Sequence, residues 1–298
     1  MTWRIRRRIR WARQLGLVIG EDKLPLRERV RTTAAKWRWR RTHHVAPNAM
    51  PVFVVGVQRS GTNMMLRGLE TSPEFEVHNE DDTKAFHRFR LRSNEQIRAM
   101  VSRSGHAFVL FKPLCDSHRV PELLDEVRTS TAGKAIWIYR RYEGRARSAV
   151  ATFGSNNLHV LRQLAAGREL DRWQAQGLSS SSWDVIRSTD FESLSPEAAA
   201  ALFWYVRNSL YFEHGLHDRP DITLVSYDAF VRNPATTMQG ICRFLGFEYS
   251  PRLVMHVENR PRRDLGPMAL PDLVREQCED LQRRLDAAVS EKMAELDR

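Results

Sequence analysis

The stretch Pro51-Val-Phe-Val-Val-Gly56 is short, wholly apolar, rich in β-branched residues and closed by a glycine. That is the pattern of a strand buried on both faces. A few polar residues later, Gly61-Thr62 opens the segment Asn63-Met-Met-Leu-Arg-Gly-Leu69, which has helical character and stops near Ser72-Pro73. A buried strand that turns at once into a helix is the repeating unit of parallel α/β sheets, and the unit recurs along the chain. Phe108–Phe111 precedes a short helix at 120–128, and Lys134–Tyr139 precedes a helix at 144–153. A helix at 196–214, with Pro196 in its first turn, carries Leu202, Phe203, Val206, Leu210 and Tyr211 at helical spacing. Ile222–Val225 then leads to a helix from Thr236 to Leu245 closed by Gly246, and a charged helix at 271–296 ends the chain. The expectation is an α/β fold, a three-layer α/β/α arrangement around a central parallel sheet. Residues 165–195, with the run Ser179-Ser-Ser-Ser182, read as an insertion or lid in the region 155–195.

Charge divides the chain differently. The formal net charge is +11, and residues 1–43 hold fourteen Lys or Arg against three Asp or Glu. The remaining 33 bases and 33 acids cancel, so the basic character belongs to an arm, taken as residues 1–46, and not to the domain expected over 47–298. The arm interleaves arginine with Trp3, Ile5, Ile9, Trp11, Leu15, Trp37 and Trp39. Two readings stand: an amphipathic segment on an anionic membrane surface, or an arm packed on its own domain or on a second subunit. Nucleic acid is not expected, since no zinc-finger spacing or aromatic-glycine module accompanies the charge. No apolar run is long enough to span a bilayer, and the basic start has no signal-peptide core behind it. Cys115, Cys242 and Cys278 lie far apart, which suggests neither a disulfide framework nor a zinc site. The expected location is cytoplasmic, with the arm's membrane reading placing the protein at the cytoplasmic face.

The strand-to-helix turn Gly56-Val-Gln-Arg-Ser-Gly61-Thr62-Asn63 is the sharpest local feature. Glycines five apart let the backbone curl until its N–H groups converge, and the following helix adds unpaired amides and the positive end of its dipole. Arg59, Ser60 and Thr62 complete an anion cradle with charge and hydroxyl donors. The spacing matches the start of the nucleotide-triphosphate loop GxxxxGK[ST], but Thr62 stands where that loop has Lys. With no apolar strand ending in a magnesium-binding Asp either, a P-loop kinase or NTPase is the second reading, and a plain βα turn the bland one. A second junction repeats the chemistry: Trp137-Ile-Tyr-Arg140 ends a strand, and Ser148 falls eight residues later in the next helix. Ligands of open α/β sheets sit beyond the carboxyl ends of the strands, where both junctions open. Arg141, Arg145 and Arg147 crowd the same stretch, some of them as ordinary solvated helix charges.

Together these residues resemble the sulfotransferases that use 3′-phosphoadenosine 5′-phosphosulfate (PAPS), over roughly residues 50–265. Val54-Val-Gly-Val-Gln-Arg59-Ser60-Gly61-Thr62-Asn63 is similar to the family's 5′-phosphosulfate signature, and Ile138-Tyr-Arg140 with Ser148 to its 3′-phosphate signature. Val225-Ser-Tyr227-Asp-Ala-Phe230 and Phe244-Leu245-Gly246 resemble a third, looser feature. The resemblance implies a P-loop nucleotide-hydrolase-like sulfotransferase fold and PAPS as donor, with no metal. It implies a binding set of Gly56, Arg59, Ser60, Gly61, Thr62, Asn63, Arg140, Ser148 and Tyr227. Arg262 and Arg263, in Asn259–Gly266, stand where the family has its C-terminal Arg-Lys-Gly loop. Tyr142 replaces the usual Pro of the second motif, and Lys112-Pro113-Leu114 stands where cytosolic members have Lys-Thr-His, so this chain looks closer to the bacterial and carbohydrate-type members that lack that His.

Without that His, the base must come from elsewhere. Glu80, in His78-Asn79-Glu80-Asp81-Asp82, is placed like the base of carbohydrate and lipid sulfotransferases, and its neighbours would raise its pKa into a useful range. His78, Asp81 and Asp82 are its rivals. Lys112 and Arg59 would balance charge on the leaving side. The implied reaction is in-line transfer of a sulfuryl group to a hydroxyl of a carbohydrate, glycolipid or small-molecule acceptor. The alternative outside catalysis is a nucleotide- or membrane-binding module on the same fold. Trp137 and Trp204 read as core residues, and Trp173 and Trp183 as candidates for lining an acceptor cleft.

Overall fold

A computed structural model describes residues 26–43, 48–258 and 266–296. Five parallel strands form the central sheet: β1 (Met50–Gly56), β2 (Phe75–His78), β5 (Phe108–Phe111), β6 (Lys134–Tyr139) and β7 (Ile222–Ser226). Their order is β2-β5-β1-β6-β7. The central strand pairs Val52 with Leu110 on one side and Val54 with Ile136 on the other. Two residues each of β3 (Phe86–His87) and β4 (Arg90–Leu91) make a separate antiparallel hairpin.

Side chains of a strand alternate between faces, and β1 shows how this builds three layers. Val52 and Val54 pack with Met65, Leu66 and Leu69 of α2 (Thr62–Glu70) and with Met238 and Ile241 of a later helix. Phe53 and Val55 belong to the opposite cluster, with Trp137, Ala146, Leu202, Phe203 and Leu281. Continuous apolar runs were needed because both faces are covered. The remaining helices are α1 (Leu26–Thr42), α3 (Asn94–Arg103), α4 (Val120–Glu126), α5 (Tyr142–Phe153), α6 (Asn156–Ala165), α7 (Ser180–Arg187), α8 (Pro196–Asn208), α9 (Leu210–Glu213), α10 (Tyr227–Arg232), α11 (Pro234–Leu245) and α12 (Asp272–Leu296).

Two expectations change in detail. The helix expected over 196–214 breaks at Ser209 into α8 and α9; the Ser209 hydroxyl donates to the Tyr205 carbonyl at 2.8 Å, a local bond that bends helices. Trp173 does not line a cleft: it is buried edge-on against Phe203, with ring centroids 6.0 Å apart. Trp183 is partly buried against the core, and the Arg187 guanidinium lies 5.6 Å from its ring. Trp137 and Trp204 are wholly buried, their indole N–H groups donating to Asn208 Oδ1 and to the Arg140 carbonyl.

Part of the basic arm is a helix packed on the domain. Through Thr32, Ala35, Lys36 and Trp39, α1 turns a half-buried stripe inward, and the Trp39 ring stacks parallel to His106 at 6.0 Å. Residues 1–25 and 44–47 lie outside the described residues, and so does the rest of the arm's reading.

Candidate active site

The carboxyl ends of β1, β5 and β6 open into one cavity of about 310 Å³. Its floor is the turn after β1. Gly56 ends the strand at φ 128°, and a Cβ there would fall on the Ile138 carbonyl of β6. Gly61 caps α2 at φ 93°, and a Cβ there would fall on the Tyr227 ring. Only glycine meets both demands, a left-handed backbone and no side chain. Between them Arg59 adopts φ 69°, uncommon for a residue with a side chain and characteristic of functional turns. The Gly61 carbonyl accepts from the Met64 and Met65 amides, while the first amides of α2 have no acceptor within the helix. Ser60 is fully buried, with its hydroxyl unpartnered among the described residues.

The wall comes from β6 and α5. Arg59 Nε donates to Ser148 Oγ at 3.0 Å, joining the two turns that the sequence placed separately. The Arg140 guanidinium lies 4.6 Å from the Tyr227 ring centroid, while its Nε is buried without a hydrogen-bond partner among the described residues. Tyr227 stands at the first position of α10. Thus Arg59, Gly61, Thr62, Asn63, Arg140, Ser148 and Tyr227 line a single cavity. Gly56 and Ser60 shape the turn behind it. Arg262 and Arg263 lie outside the described residues.

The opposite wall comes from β5 and the loop after β2. Lys112 and Glu80 are both buried, and Lys112 Nζ lies 3.8 Å from Glu80 Oε1. The same ammonium donates to Asn63 Oδ1 of α2. A backbone bond from the Lys112 amide to the His78 carbonyl, 3.2 Å, ties the two segments. The rivals to Glu80 sit elsewhere. His78 and Asp82 are 2.7 Å apart, and neither they nor Asp81 line the cavity.

Several residues here carried no recognisable signal. Arg145 is not a solvated helix charge. It is fully buried, with Nε donating to the Gln58 carbonyl at 3.1 Å and Nη1 to the Ala200 carbonyl at 2.8 Å. Burial, and the Arg59 charge after it, lower its pKa to about 9. It holds the cradle from behind. Arg141 is half-buried, and Arg147 donates outward to the Gly266 carbonyl. His256 reaches the cavity through its Nε2–H bond to the Met64 carbonyl, 2.8 Å, and burial lowers its pKa.

A sequence model described as "Sulfotransferase family" matches residues 51–251. The chain belongs to the sulfotransferase family. No curated protein sequence matches it. Among solved structures it is similar to the sulfotransferase domain of the Synechococcus PCC 7002 olefin synthase, at 15% identity and a TM-score of 0.48, covering 80% of this chain and 96% of that one. It is also similar to a sulfotransferase from Alicyclobacillus acidocaldarius, at 16% identity and a TM-score of 0.44, covering 85% of this chain and 99% of that one. The matched span of this sulfotransferase takes in every cavity residue named above except His256.

Proposed function

We propose that the protein moves the sulfuryl group of PAPS to a hydroxyl of a carbohydrate, glycolipid or small-molecule acceptor. One observation carries this reading: a buried lysine and a buried carboxylate, 3.8 Å apart, face the same cavity as a two-part anion cradle. The residues fit the donor's chemistry. Buried polar atoms of Ser60, Gln58 and Arg140 lack partners among the described residues, as expected of groups arranged for an anion. Arg59 with the first turn of α2 suits one phosphate-like group, and Arg140 with Ser148 a second.

The donor supplies an activated sulfuryl group, and the protein's part is proton transfer and charge placement. Glu80 takes the proton of the acceptor hydroxyl as attack develops. Lys112, oriented by Asn63, aims positive charge at the leaving bridge oxygen, and Arg59 at the oxygens around sulfur. Burial makes both charges count for more than they would in water. The arm's basic helix suits an anionic membrane surface, which makes a lipid-borne acceptor at the cytoplasmic face the setting we favour.

Calorimetric titration with adenosine 3′,5′-bisphosphate, AMP and Mg-ATP tests the reading. Tight binding that requires the 3′-phosphate is expected, followed by transfer of labelled sulfate in an acceptor screen. Preference for Mg-ATP would move the protein to the kinases or NTPases. Nucleotide binding without transfer to any acceptor would make it a binding module. Arg59→Ala and Lys112→Ala should each lower turnover about 100-fold or more, while Ser148→Ala should act mainly on the dissociation constant of the bisphosphate.

A further inference from the structure

Glu80 sits in a loop, and loops hold catalytic groups only when something closes them. Here the loop is bracketed by two side chains. His78, the last residue of β2, is buried with its ring stacked on Phe111 at 5.2 Å. Its Nδ1 is hydrogen-bonded to Asp82 Oδ2 at 2.7 Å, and its Nε2 lies 3.2 Å from Glu76 Oε1, an ion-pair contact without hydrogen-bond geometry. Within the bracket, the Asp82 amide donates to the Asn79 carbonyl at 2.8 Å, and the Glu80 amide to Asn79 Oδ1 at 2.9 Å. Both carboxylates have further anchors: Glu76 accepts from Ser104 Oγ, and Asp82 from the Lys84 amide.

We propose that His78 is a positioning residue, whose ring bridges Glu76 and Asp82 to close the loop that holds Glu80 against Lys112. The inference rests on the proposed role of Glu80 and deepens it. Two of the residues that sequence reasoning offered as rival bases, His78 and Asp82, become part of the clasp around the base.

A neutral imidazole has one N–H, so it can serve one carboxylate and must turn a lone pair toward the other. Only the imidazolium can hydrogen-bond Asp82 and present positive charge to Glu76 at the same time. The charged groups around the triad agree with a cationic ring. Burial would lower the His78 pKa, but Glu76 and Asp82 outweigh it and raise the value above the usual 6.5. Glu76 is held at about 2, chiefly by the adjacent His78 ring. Lys36 of α1 and His106 before β5 face Glu76, and Lys84 faces Asp82. The sign follows from the direction. A raised pKa means that the clasp's contribution is complete below about 6.5. It is lost as pH rises through the higher folded value.

The following measurements decide the matter. Turnover of the wild-type protein should fall on the alkaline side while bisphosphate affinity stays constant, because the cradle does not touch the clasp. His78→Gln donates to one carboxylate and does not titrate. It should lower turnover about 10- to 100-fold, the cost of a misplaced catalytic group, and abolish the alkaline fall. Asp82→Asn should do much the same, and the double variant no more than either alone. An alkaline fall that persists in His78→Gln, or additive losses, would overturn the proposal. Hydrogen exchange needs no turnover: the amides of Glu80 and Asp82 should lose protection in His78→Gln and, in the wild type, at alkaline pH beyond the intrinsic rise. Unchanged protection would overturn the clasp whatever the enzyme does. Glu80→Gln tests the other reading, since full turnover in that variant would remove Glu80 as base and leave exchange to judge the clasp alone.

Discussion

At Gly61 two requirements meet in one residue. The backbone is left-handed, and the Tyr227 ring occupies the space a Cβ would need. Gly61→Ala should therefore cost about 1–3 kcal/mol in unfolding free energy from backbone strain. It should weaken bisphosphate binding as well, because relief of the clash moves either the α2 amides or Tyr227. Denaturant unfolding and calorimetry on the same variant read both effects, and unchanged values would mean that the turn adapts. This glycine was legible because its partner glycine, strand and helix are all adjacent in sequence. Arg145 was not: its acceptors, the carbonyls of Gln58 and Ala200, are 87 and 55 residues away, and nothing local separates a buried arginine from its half-buried neighbour Arg147. His256, 192 residues from its partner Met64, was invisible for the same reason.

Elements were legible where hydrophobic runs exceed the noise of their surroundings. β1, β5, β6 and β7 are continuous apolar runs, as strands covered on both faces must be. β2 reads Phe-Glu-Val-His, an edge strand whose polar half faces the Ser104 and Asp82 side chains, so it lacks the apolar run that marks the other strands. The short helices α6 and α7 and the β3–β4 hairpin owe their existence to tertiary packing, which a window of sequence does not contain. One capping contact shows how elements fix the site. Arg141 stands at the N-terminal cap of α5 without a side-chain cap of its own, and the Asp228 carboxylate of α10 accepts its amide at 3.0 Å. That contact sets α5, and with it Ser148, against Tyr227. Asp228→Ala should cost about 1 kcal/mol in stability, as lost caps do. It should narrow the preference for adenosine 3′,5′-bisphosphate over AMP, since Ser148 belongs to the proposed second anion station. A variant equally destabilised but with the preference intact would show that the cap supports the fold and not the site.

For the whole molecule, the open question is where its charge is aimed. The excess of +11 resides in residues 1–43, and α1 is the part of that arm whose geometry is described. Its inward stripe is spent on the domain, leaving Arg29, Arg31, Arg38, Arg40 and Arg41 exposed around Val30 and Trp37, which are 64% and 51% exposed. The Arg41 guanidinium lies 3.7 Å from the Trp37 ring, so charge and apolar surface form one patch. Near the start of the helix, Glu28 lies 3.9 Å from Arg67, a residue of the cavity wall. A surface of arginines around an interfacial tryptophan matches anionic lipid headgroups better than a purely polar anion. Each arginine near such a surface contributes about 1 kcal/mol, so removing two should weaken partition roughly 30-fold. The test is sedimentation with phosphatidylserine-containing vesicles, comparing wild type with Arg38→Ala/Arg41→Ala and with Trp37→Ala. These exposed sites leave the packed stripe intact, so thermal unfolding should not move. Binding should fall with added salt, and a lipid-borne acceptor should be sulfated faster on vesicles than in detergent solution. Equal binding to neutral vesicles, or partition untouched by the variants, would return α1 to a purely structural role and shift the acceptor search toward diffusible alcohols.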